Sequence, residues 1–376
     1  MKFKVSGFMK TNISILLCLI LCGCISEFEP KNTDETDGIL VVEGIITDGE
    51  SVITLSRSKG LSYEDNLFDL TPYHVTDAKV FIECDDGMQW GVTTQNYGVY
   101  TIATGKLNPQ RQYRLKIEIN ETEKTYEYGS EYASPMSPPE IDTFFYTKKD
   151  KGQPVIIRVA THAPDDAVQY YRWTYREDWE TRAEIRSDWH PFYCTKNFTN
   201  REILLGTTER TASNQLTEVI AKIPPSDDRF VFLYRMDIKQ YAISKQAFDY
   251  YTNIKNNAQQ TGGIFAHIPS EIKGNIACIT DPARPVIGYM DISSVTQKRM
   301  YIYRSEVYED PYLGIPNMQC QTYMSLYGLN PDKNWVRRVE GDWAELRCID
   351  CKSTGGRSIR ELPDDWPYQY VMEIWD

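Results

Sequence analysis

Residues 113–119 read YRLKIEI and form the clearest strand pattern in the chain. Apolar and charged side chains alternate along this run, so that Tyr113, Leu115 and Ile117 share one face and the charged residues share the other. A pattern with a period of two is typical of a half-buried β-strand, with one face on a hydrophobic core and one face in water. The sequence therefore predicts a sheet that packs on one side only.

Short strand patterns separated by turn residues continue upstream of this run. They cover residues 39–46, 52–55, 78–84 and 98–102. Asp85-Asp86-Gly87 predicts a hairpin turn, and residues 61–73 have too little pattern for anything but a long loop. Strands at this spacing predict a β-sandwich over residues 38–132, similar to transthyretin-like or immunoglobulin-like domains.

A proline-rich segment at residues 133–140 follows this sandwich and is expected to be an extended linker with few contacts. Residues 141–376 then predict a second, larger sandwich, with strands near 155–159, 169–175, 230–234 and 286–290. One helix is expected near 244–260, capped by Ser244 and ended by Gly262-Gly263. The predicted fold class is therefore all-β, with two β-sandwich domains, the C-terminal one carrying a helical insertion.

The N-terminal sequence predicts how the protein is targeted. Residues 1–23 combine lysines with a short apolar run, too short to span a bilayer, and end in Leu21-Cys22-Gly23-Cys24. This ending resembles a bacterial lipobox, which makes Cys24 the expected lipidation site; the alternative is an ordinary secretory signal with cysteines present by chance. Residues 24–37 form an acidic tether that resembles a surface-export signal. A solvated spacer is the alternative interpretation of this tether.

Six cysteines remain after the targeting segment, and an even number in an exported protein favours disulfides. The candidate disulfide cysteines are Cys84, Cys194, Cys278, Cys320, Cys348 and Cys351. The last two have CxxC spacing, which also occurs in redox and zinc sites. The glycine pair that follows predicts a turn rather than a redox helix, and the four histidines have no ligand spacing. Structural disulfides are therefore expected, with the connectivity open.

Composition restricts the function. The chain has 376 residues, a formal net charge of −12 and 41% hydrophobic residues, so it is expected to fold but not to bind nucleic acid. It contains no phosphate loop, dinucleotide fingerprint, zincin motif or nucleophile elbow, so no cofactor and no metal are predicted. Its acidic pairs lie beside turn residues. The chain is therefore expected not to be an enzyme.

Aromatic residues are the densest remaining feature, with 26 Tyr and 8 Trp against 13 Phe. Trp173 and Tyr175 lie two apart in a predicted strand and are expected in the core. Trp179 and Trp189 lie in a more polar stretch and are the candidate binding aromatics, suited to a glycan or a peptide.

Several motifs, taken in order, resemble one family. They are Cys24 followed by Glu27-Phe28-Glu29-Pro30, the helix led by Ser244, Gly274-Asn275-Ile276 before Cys278, Gly288-Tyr289, and the Cys348–Cys351 pair followed by Pro363-Asp364-Asp365-Trp366. This order resembles the Bacteroidota lipoproteins grouped as "domain of unknown function 4249". The tail departs from the family, since Pro367 follows Trp366 where an aromatic pair is expected. The resemblance implies an outer-membrane lipoprotein encoded beside SusC-like TonB-dependent transporters, with no known activity.

Three functions follow from these observations. The first is a surface-exposed, non-enzymatic accessory or binding subunit of a TonB-dependent nutrient transporter, anchored to the outer membrane by its lipid. The second is a structural or adhesive cell-surface protein. The third is a hydrolase whose site forms only in three dimensions. A shallow aromatic groove would favour the first, a featureless surface the second, and a pocket of converging carboxylates the third.

Overall fold

A computed structural model describes most of the chain after the targeting segment. The described residues are 38–58, 73–121, 124–149, 153–211, 213–224, 227–260, 274–307, 320–324, 335–339, 342–358 and 365–367. The predicted signal peptide, the acidic tether and Cys24 therefore lie outside the described residues, as do Gly262-Gly263 and residues 61–72 of the predicted long loop. Residues 39–376 form one compact unit.

Strands dominate this unit, which confirms the all-β prediction. In chain order they are β1 (Leu40–Thr47), β2 (Gly49–Arg57), β3 (Tyr73–His74), β4 (Lys79–Cys84), β5 (Gln89–Gly91), β6 (Thr94–Asn96), β7 (Val99–Gly105), β8 (Tyr113–Asn120), β9 (Thr125–Ser130), β10 (Ile141–Thr147), β11 (Val155–His162), β12 (Tyr170–Arg182), β13 (Tyr193–Thr199), β14 (Leu204–Thr207), β15 (Gln215–Ile223), β16 (Leu233–Ala242), β17 (Ile276–Cys278), β18 (Val286–Gly288), β19 (Asp291–Ser293), β20 (Val295–Tyr303), β21 (Thr322–Met324), β22 (Trp335–Val339), β23 (Asp342–Glu345) and β24 (Arg357–Ser358). The helices are α1 (Lys245–Gln260), α2 (Arg304–Val307) and α3 (Leu346–Ile349), with short 3-10 turns at Asp228–Phe230 and Cys351–Thr354.

The first sandwich packs two sheets around one core. One sheet has the order β18-β1-β2-β7-β6, with β19 beside β1 and β3 beside β2, and the other has the order β17-β9-β8-β4-β5. Strand β8 contains the YRLKIEI run, and its side chains alternate between buried and half-buried as predicted. Leu115 and Ile117 from β8 meet Ile53 and Leu55 from β2 in this core. This arrangement confirms the N-terminal sandwich.

The second sandwich is built in the same way. A three-stranded sheet, β10-β11-β15, packs against a sheet of order β20-β16-β12-β13-β24, in which β14 also pairs with β12. Val159 of β11, Trp173 of β12 and Ile238 of β16 are buried in the shared core. Trp173 also donates its indole N–H to Gln240 Oε1 at 2.9 Å. The prediction that Trp173 belongs to the core is confirmed.

Helix α1 is the predicted helical insertion. Ser244 Oγ accepts a hydrogen bond from the backbone N–H of Ala247 at 3.1 Å, so the serine caps the helix as expected. Tyr250 and Tyr251 on its buried face pack with Tyr241 of β16. The insertion is therefore held against the second sandwich by an aromatic face.

The proline-rich segment is not a free linker. Met136 donates its N–H to Ile292 O at 3.0 Å and accepts from Ser294 N at 2.8 Å. Gln240 Nε2 donates to Pro139 O at 2.9 Å. The expectation of few contacts is wrong, because Met136 pairs with β19 and the residue after it. The composition of the segment gives no information about this long-range pairing.

The predicted domain boundary at residue 141 also needs correction. Strands β18 and β19 pair in parallel with β1, matching Val286 to Leu40 and Asp291 to Ile45. Strand β17 pairs with β9 of the opposite sheet. Three strands assigned by sequence to the second domain therefore complete the first sandwich, because the chain returns to it after helix α1.

A small third sheet, β21-β23-β22, lies near the C-terminus. A disulfide between Cys320 and Cys348 joins this region internally, and another between Cys194 and Cys351 joins it to β13. Within the described residues, no helix is long and apolar enough to cross a membrane.

Candidate functional site

A cavity of about 890 Å³ lies between the two sandwiches. Its floor is one face of the sheet formed by β12, β16 and β20. Its wall is the β1–β2 hairpin, including Gly44, Thr47 and Glu50. A volume of this size falls within the roughly 300–1,000 Å³ range of small-molecule sites. We call this cavity the inter-sandwich cleft.

The floor of the cleft is set by strand register. Thr174 of β12 lies opposite Lys239 of β16, which lies opposite Gln297 of β20. Residues two apart on a strand share a face, so the neighbouring cross-strand pairs on this face are Arg172 with Tyr241 and Arg176 with Asp237. The other face of the same strands carries the buried Trp173 and Ile238 of the core. The alternation along these strands therefore places polar side chains in the cleft.

The wall depends on a close backbone approach. Gly44 has φ +154°, and a Cβ placed there would lie 2.6 Å from Val52 O and 2.8 Å from a side-chain carbon of Ile53. Only glycine fits this point without displacing β2. The shape of the wall facing the sheet therefore requires Gly44.

The cleft is electropositive in a chain whose net charge is −12. Its basic lining residues are Arg172, Arg176, Lys239, Lys298 and Arg299, and its acidic ones are Glu50 and Asp237. Clefts lined by one sign of charge concentrate ligands of the opposite sign. The local charge therefore favours an anionic ligand, although the molecule as a whole repels one.

Most of these cations are already engaged by the protein. Arg299 binds both carboxylate oxygens of Asp237, one of them at 3.1 Å, and these bonds raise the pKa of Arg299. Arg176 Nη2 binds Asp178 Oδ1 at 3.0 Å. These two arginines are largely neutralised and act as structural parts of the floor.

Lys239 differs from them. Its side chain is exposed in the cleft and makes no ion pair or hydrogen bond within the described part of the chain. Gln297, the residue across from it on β20, is likewise exposed and unpaired there. Lys239 is therefore the cation of the floor that has its charge and all three donors available to a ligand.

Arg172 closes one end of the floor. Its guanidinium donates to the Tyr251 hydroxyl at 2.8 Å and lies 4.5 Å from the centre of that ring. The buried carboxyl of Asp291 lies nearby; burial raises its pKa to about 7, while Arg172 lowers it. Asp291 Oδ2 has no hydrogen-bond partner among the described residues. Near neutral pH, Arg172 is therefore only partly compensated by this carboxyl.

The arrangement can hold an anionic or polar ligand. Asp237 is held by Arg299 and Arg235, at 3.5 Å for the latter, and Glu50 lies on the opposite wall. Asp237 is thus committed to the protein's own cations rather than placed as a free acid or base. Among the described residues, no group of three or more His, Cys, Asp or Glu side chains is arranged to hold a metal ion.

The predicted cysteine sites divide into two groups. Cys194–Cys351 and Cys320–Cys348 are disulfides, so each cysteine of the CxxC motif is structural and bonds elsewhere. Cys84 and Cys278 are buried and free. They lie on β4 and β17, three strand spacings apart, which is about 14 Å. The expectation of a disulfide for these two is wrong, because a disulfide needs Cα atoms within about 7 Å.

The two candidate binding aromatics also separate. Trp179 is only 6% exposed, packs in the core of the second sandwich and lies under Arg229. The expectation that Trp179 is exposed is wrong, because β12 runs to Arg182 and buries the charged residues around it in ion pairs. Trp189 is 57% exposed, in the loop between β12 and β13. Neither tryptophan lines the cleft.

Sequence reasoning missed the residues that form the cleft. The polar members of the floor alternate with core residues, and a solvated outer face is the ordinary interpretation of such a pattern. What makes this face a site is the β1–β2 hairpin opposite it, and no local pattern specifies that packing. The available signal was the set of basic residues at even spacing along two strands. Arg172 and Arg176 lie on one face of β12, and Lys239 lies on the same face of β16, which pairs with it.

Comparisons with known proteins identify a family and little beyond it. The family described as "Domain of unknown function (DUF4249)" matches residues 25–299. No match was found among curated proteins. A solved structure of a two-domain fibronectin type-III segment from chicken tenascin is similar at 7% identity, over 55% of this chain and 90% of its own, with a TM-score of 0.17. Because this score is low, the sandwich assignment rests on the observed sheets and their cores.

Proposed function

The chain belongs to the DUF4249 family, and we propose that it is a surface-exposed, non-enzymatic lipoprotein of an outer membrane. In this proposal the protein is an accessory or binding subunit that works with a SusC-like TonB-dependent transporter in nutrient capture. A glycan or a peptide is the ligand that it delivers. The inter-sandwich cleft is the single observation that carries the proposal.

The cleft supports a binding role rather than catalysis. It combines the size of a ligand site with exposed polar side chains. Of its two acidic lining residues, Asp237 is tied to Arg299, which leaves Glu50 without a second carboxyl to pair with. Catalytic acid–base pairs need carboxyl or imidazole groups free to exchange protons with a substrate. A floor in which Arg176 and Arg299 are paired with carboxylates, while Lys239 is free, is suited to holding an anionic or polar ligand.

The proposed membrane location rests on the N-terminal sequence. Gly23-Cys24 ends an apolar core of signal length, and acyl chains on Cys24 would anchor the folded unit without a spanning helix. The acidic residues of the tether that follows, among them Glu27 and Glu29, fit the proposed export to the cell surface. Replacing Cys24 with Ala is expected to release the protein from the membrane fraction.

The exposed Trp189 is the proposed partner contact. Its side chain is more than half exposed, and Trp is enriched among the residues that carry binding energy at interfaces. The loop that carries it is close in sequence to the Cys194–Cys351 disulfide, which fixes its C-terminal side. A rigidly supported tryptophan can supply contact area to a transporter at low entropic cost.

The test is co-purification from detergent-solubilised outer membranes. Wild-type protein, tagged at its C-terminus, is expected to retain a TonB-dependent transporter, and Trp189→Ala is expected to retain less of it. Phe198→Ala is a matched control, because Phe198 is also an exposed aromatic residue, at 40%, on β13, the strand that follows the loop of Trp189. A preparation in which wild-type protein retains no transporter would contradict the proposed partnership.

A further inference from the structure

We infer that the ligand of the inter-sandwich cleft is an acidic oligosaccharide, held by its anionic group on Lys239 and by its hydroxyl groups on the surrounding polar side chains. This inference rests on the proposed binding function and deepens it by naming the ligand class. The charge, the neutral side chains and the backbone of the cleft each favour this class of ligand.

The charge comes from two cations that the protein leaves wholly or partly uncompensated. Lys239 makes no ion pair in the described part of the chain. Arg172 donates to the Tyr251 hydroxyl and is only partly compensated by the nearby carboxyl of Asp291. Both side chains line one cavity, so their fields add where a ligand would lie. A neutral ligand would gain no attraction from this positive potential.

The neutral side chains favour a hydroxylated ligand. Gln297 lies directly across from Lys239, and Thr199 lines the same cavity; both are exposed and make no side-chain hydrogen bond within the described ranges. Glu50 on the wall supplies an exposed acceptor. Amide and hydroxyl groups can both donate to and accept from the ring hydroxyls of a bound sugar, and a carboxylate can accept from them.

The backbone of the floor argues against an extended peptide. Strand β16 pairs with β12 on one side, from Tyr234 to Ala242, and with β20 on the other, from Leu233 to Tyr241. Its main-chain hydrogen bonds are therefore used within the sheet. A peptide that adds to a sheet needs an open strand edge, and this floor offers only side chains. Recognition here depends on groups spread over a ligand's surface, as on a sugar.

Titration calorimetry on the detergent-solubilised full-length protein tests the inference. Trigalacturonate and a sulfated trisaccharide are the two anionic probes, which separate recognition of a carboxylate from recognition of a sulfate. We expect at least one of them to bind, with an affinity that falls as salt rises. Maltotriose, which is neutral, is expected to bind at least tenfold more weakly, and triglutamate is the competing acidic peptide.

Variants of Lys239 locate the site. Lys239→Met is expected to weaken the anionic sugar at least tenfold, while Lys239→Arg keeps it within threefold. Lys222→Met is the matched control, since Lys222 is an exposed, unpaired lysine on β15 outside the cleft. Circular dichroism melting confirms that each variant is folded. Equal binding of maltotriose, stronger binding of triglutamate, or an unchanged affinity in Lys239→Met would overturn the inference.

Transporter capture separates this inference from the proposed function. Lys239→Met is expected to retain the transporter as wild type does, because Lys239 lies inside the cleft. Retained transporter with no binding of either anionic sugar would overturn the ligand class alone. Loss of transporter from wild-type preparations would overturn the accessory function, whether or not a sugar binds.

Discussion

Trp366 donates its indole N–H to Glu180 Oε1 at 2.7 Å, joining residues 186 positions apart in the chain. Both side chains are buried, at 2% and 3% exposure. Arg235 lies over the Trp366 ring at 5.2 Å and binds Asp365 at 2.8 Å. The segment at residues 365–367 is therefore fastened to the second sandwich by one indole and one carboxylate.

Glu180 should make the stability of this protein depend on pH. Burial raises its pKa from 4.5 to about 7, although the bond from Trp366 lowers it. A carboxyl whose pKa is raised by folding favours the folded state below its unfolded pKa and loses that contribution as pH rises through the folded value. Its contribution should therefore be lost between about pH 4.5 and pH 7.

Glu180→Gln is expected to remove this dependence while leaving an amide oxygen for Trp366. Urea unfolding should show the variant close to wild type at pH 4.5 and more stable than wild type at pH 8, by up to about 3 kcal/mol for a shift of this size. Glu43→Gln, at an exposed position of β1, is the control and should behave alike at both pH values. Equal stability of Glu180→Gln and wild type at pH 8 would contradict the burial argument.

Trp179 and Trp189 should respond oppositely to truncation. Trp179→Ala removes a buried side chain from the second core and is expected to cost about 3–5 kcal/mol of unfolding free energy. Trp189→Ala removes an exposed one and should change stability by less than about 0.5 kcal/mol. Chemical denaturation of both variants provides the comparison. A large loss in Trp189→Ala would place that side chain in a core and remove it as a partner contact.

Thiol counting should find two free thiols in residues 25–376. Cys84 and Cys278 are buried, so they should react with a thiol reagent only after unfolding. Four more thiols should appear on reduction, from Cys194–Cys351 and Cys320–Cys348. Each native disulfide is expected to stabilise the fold by roughly 2–4 kcal/mol. No free thiol in the unfolded, unreduced chain would mean that Cys84 and Cys278 are also oxidised.

Residues 133–140 should resist proteolysis under native conditions. Pro135 and Pro138 are buried, and Met136 is hydrogen-bonded on both sides. Limited digestion with proteinase K, mapped by mass spectrometry, should give no cut in this segment, while the same enzyme in urea should cut there. Early accumulation of a fragment that starts near residue 140 would show that the segment opens readily and that the halves separate.

The sequence predicted those parts of the fold that depend on local pattern. The alternation around Leu115, the Ser244 cap and the core position of Trp173 were all readable, because strand period and capping chemistry act over a few residues. The return of β17, β18 and β19 to the first sandwich was not readable. The sequence of a short apolar strand does not specify which strand it pairs with. The parallel pairing of β18 with β1 joins residues more than 240 positions apart.

The candidate site escaped prediction for a related reason. The charged residues that flank Trp179 indicate a polar exterior, yet Glu177 and Asp178 are buried in ion pairs with Arg229 and Arg235. Burial of paired charges cannot be told from exposure by residue type alone. Lys239 likewise becomes part of a site only because a hairpin from the other sandwich faces it.

Chemical footprinting of Lys239 tests the central claim that the inter-sandwich cleft is the ligand site. Purified protein is labelled with an amine reagent, with and without saturating trigalacturonate, and the modification of each lysine is measured by mass spectrometry. We predict that trigalacturonate protects Lys239 severalfold and leaves the exposed Lys222 on β15 unchanged. Equal labelling of Lys239 with and without the sugar, under conditions where calorimetry shows binding, would contradict the cleft as the site.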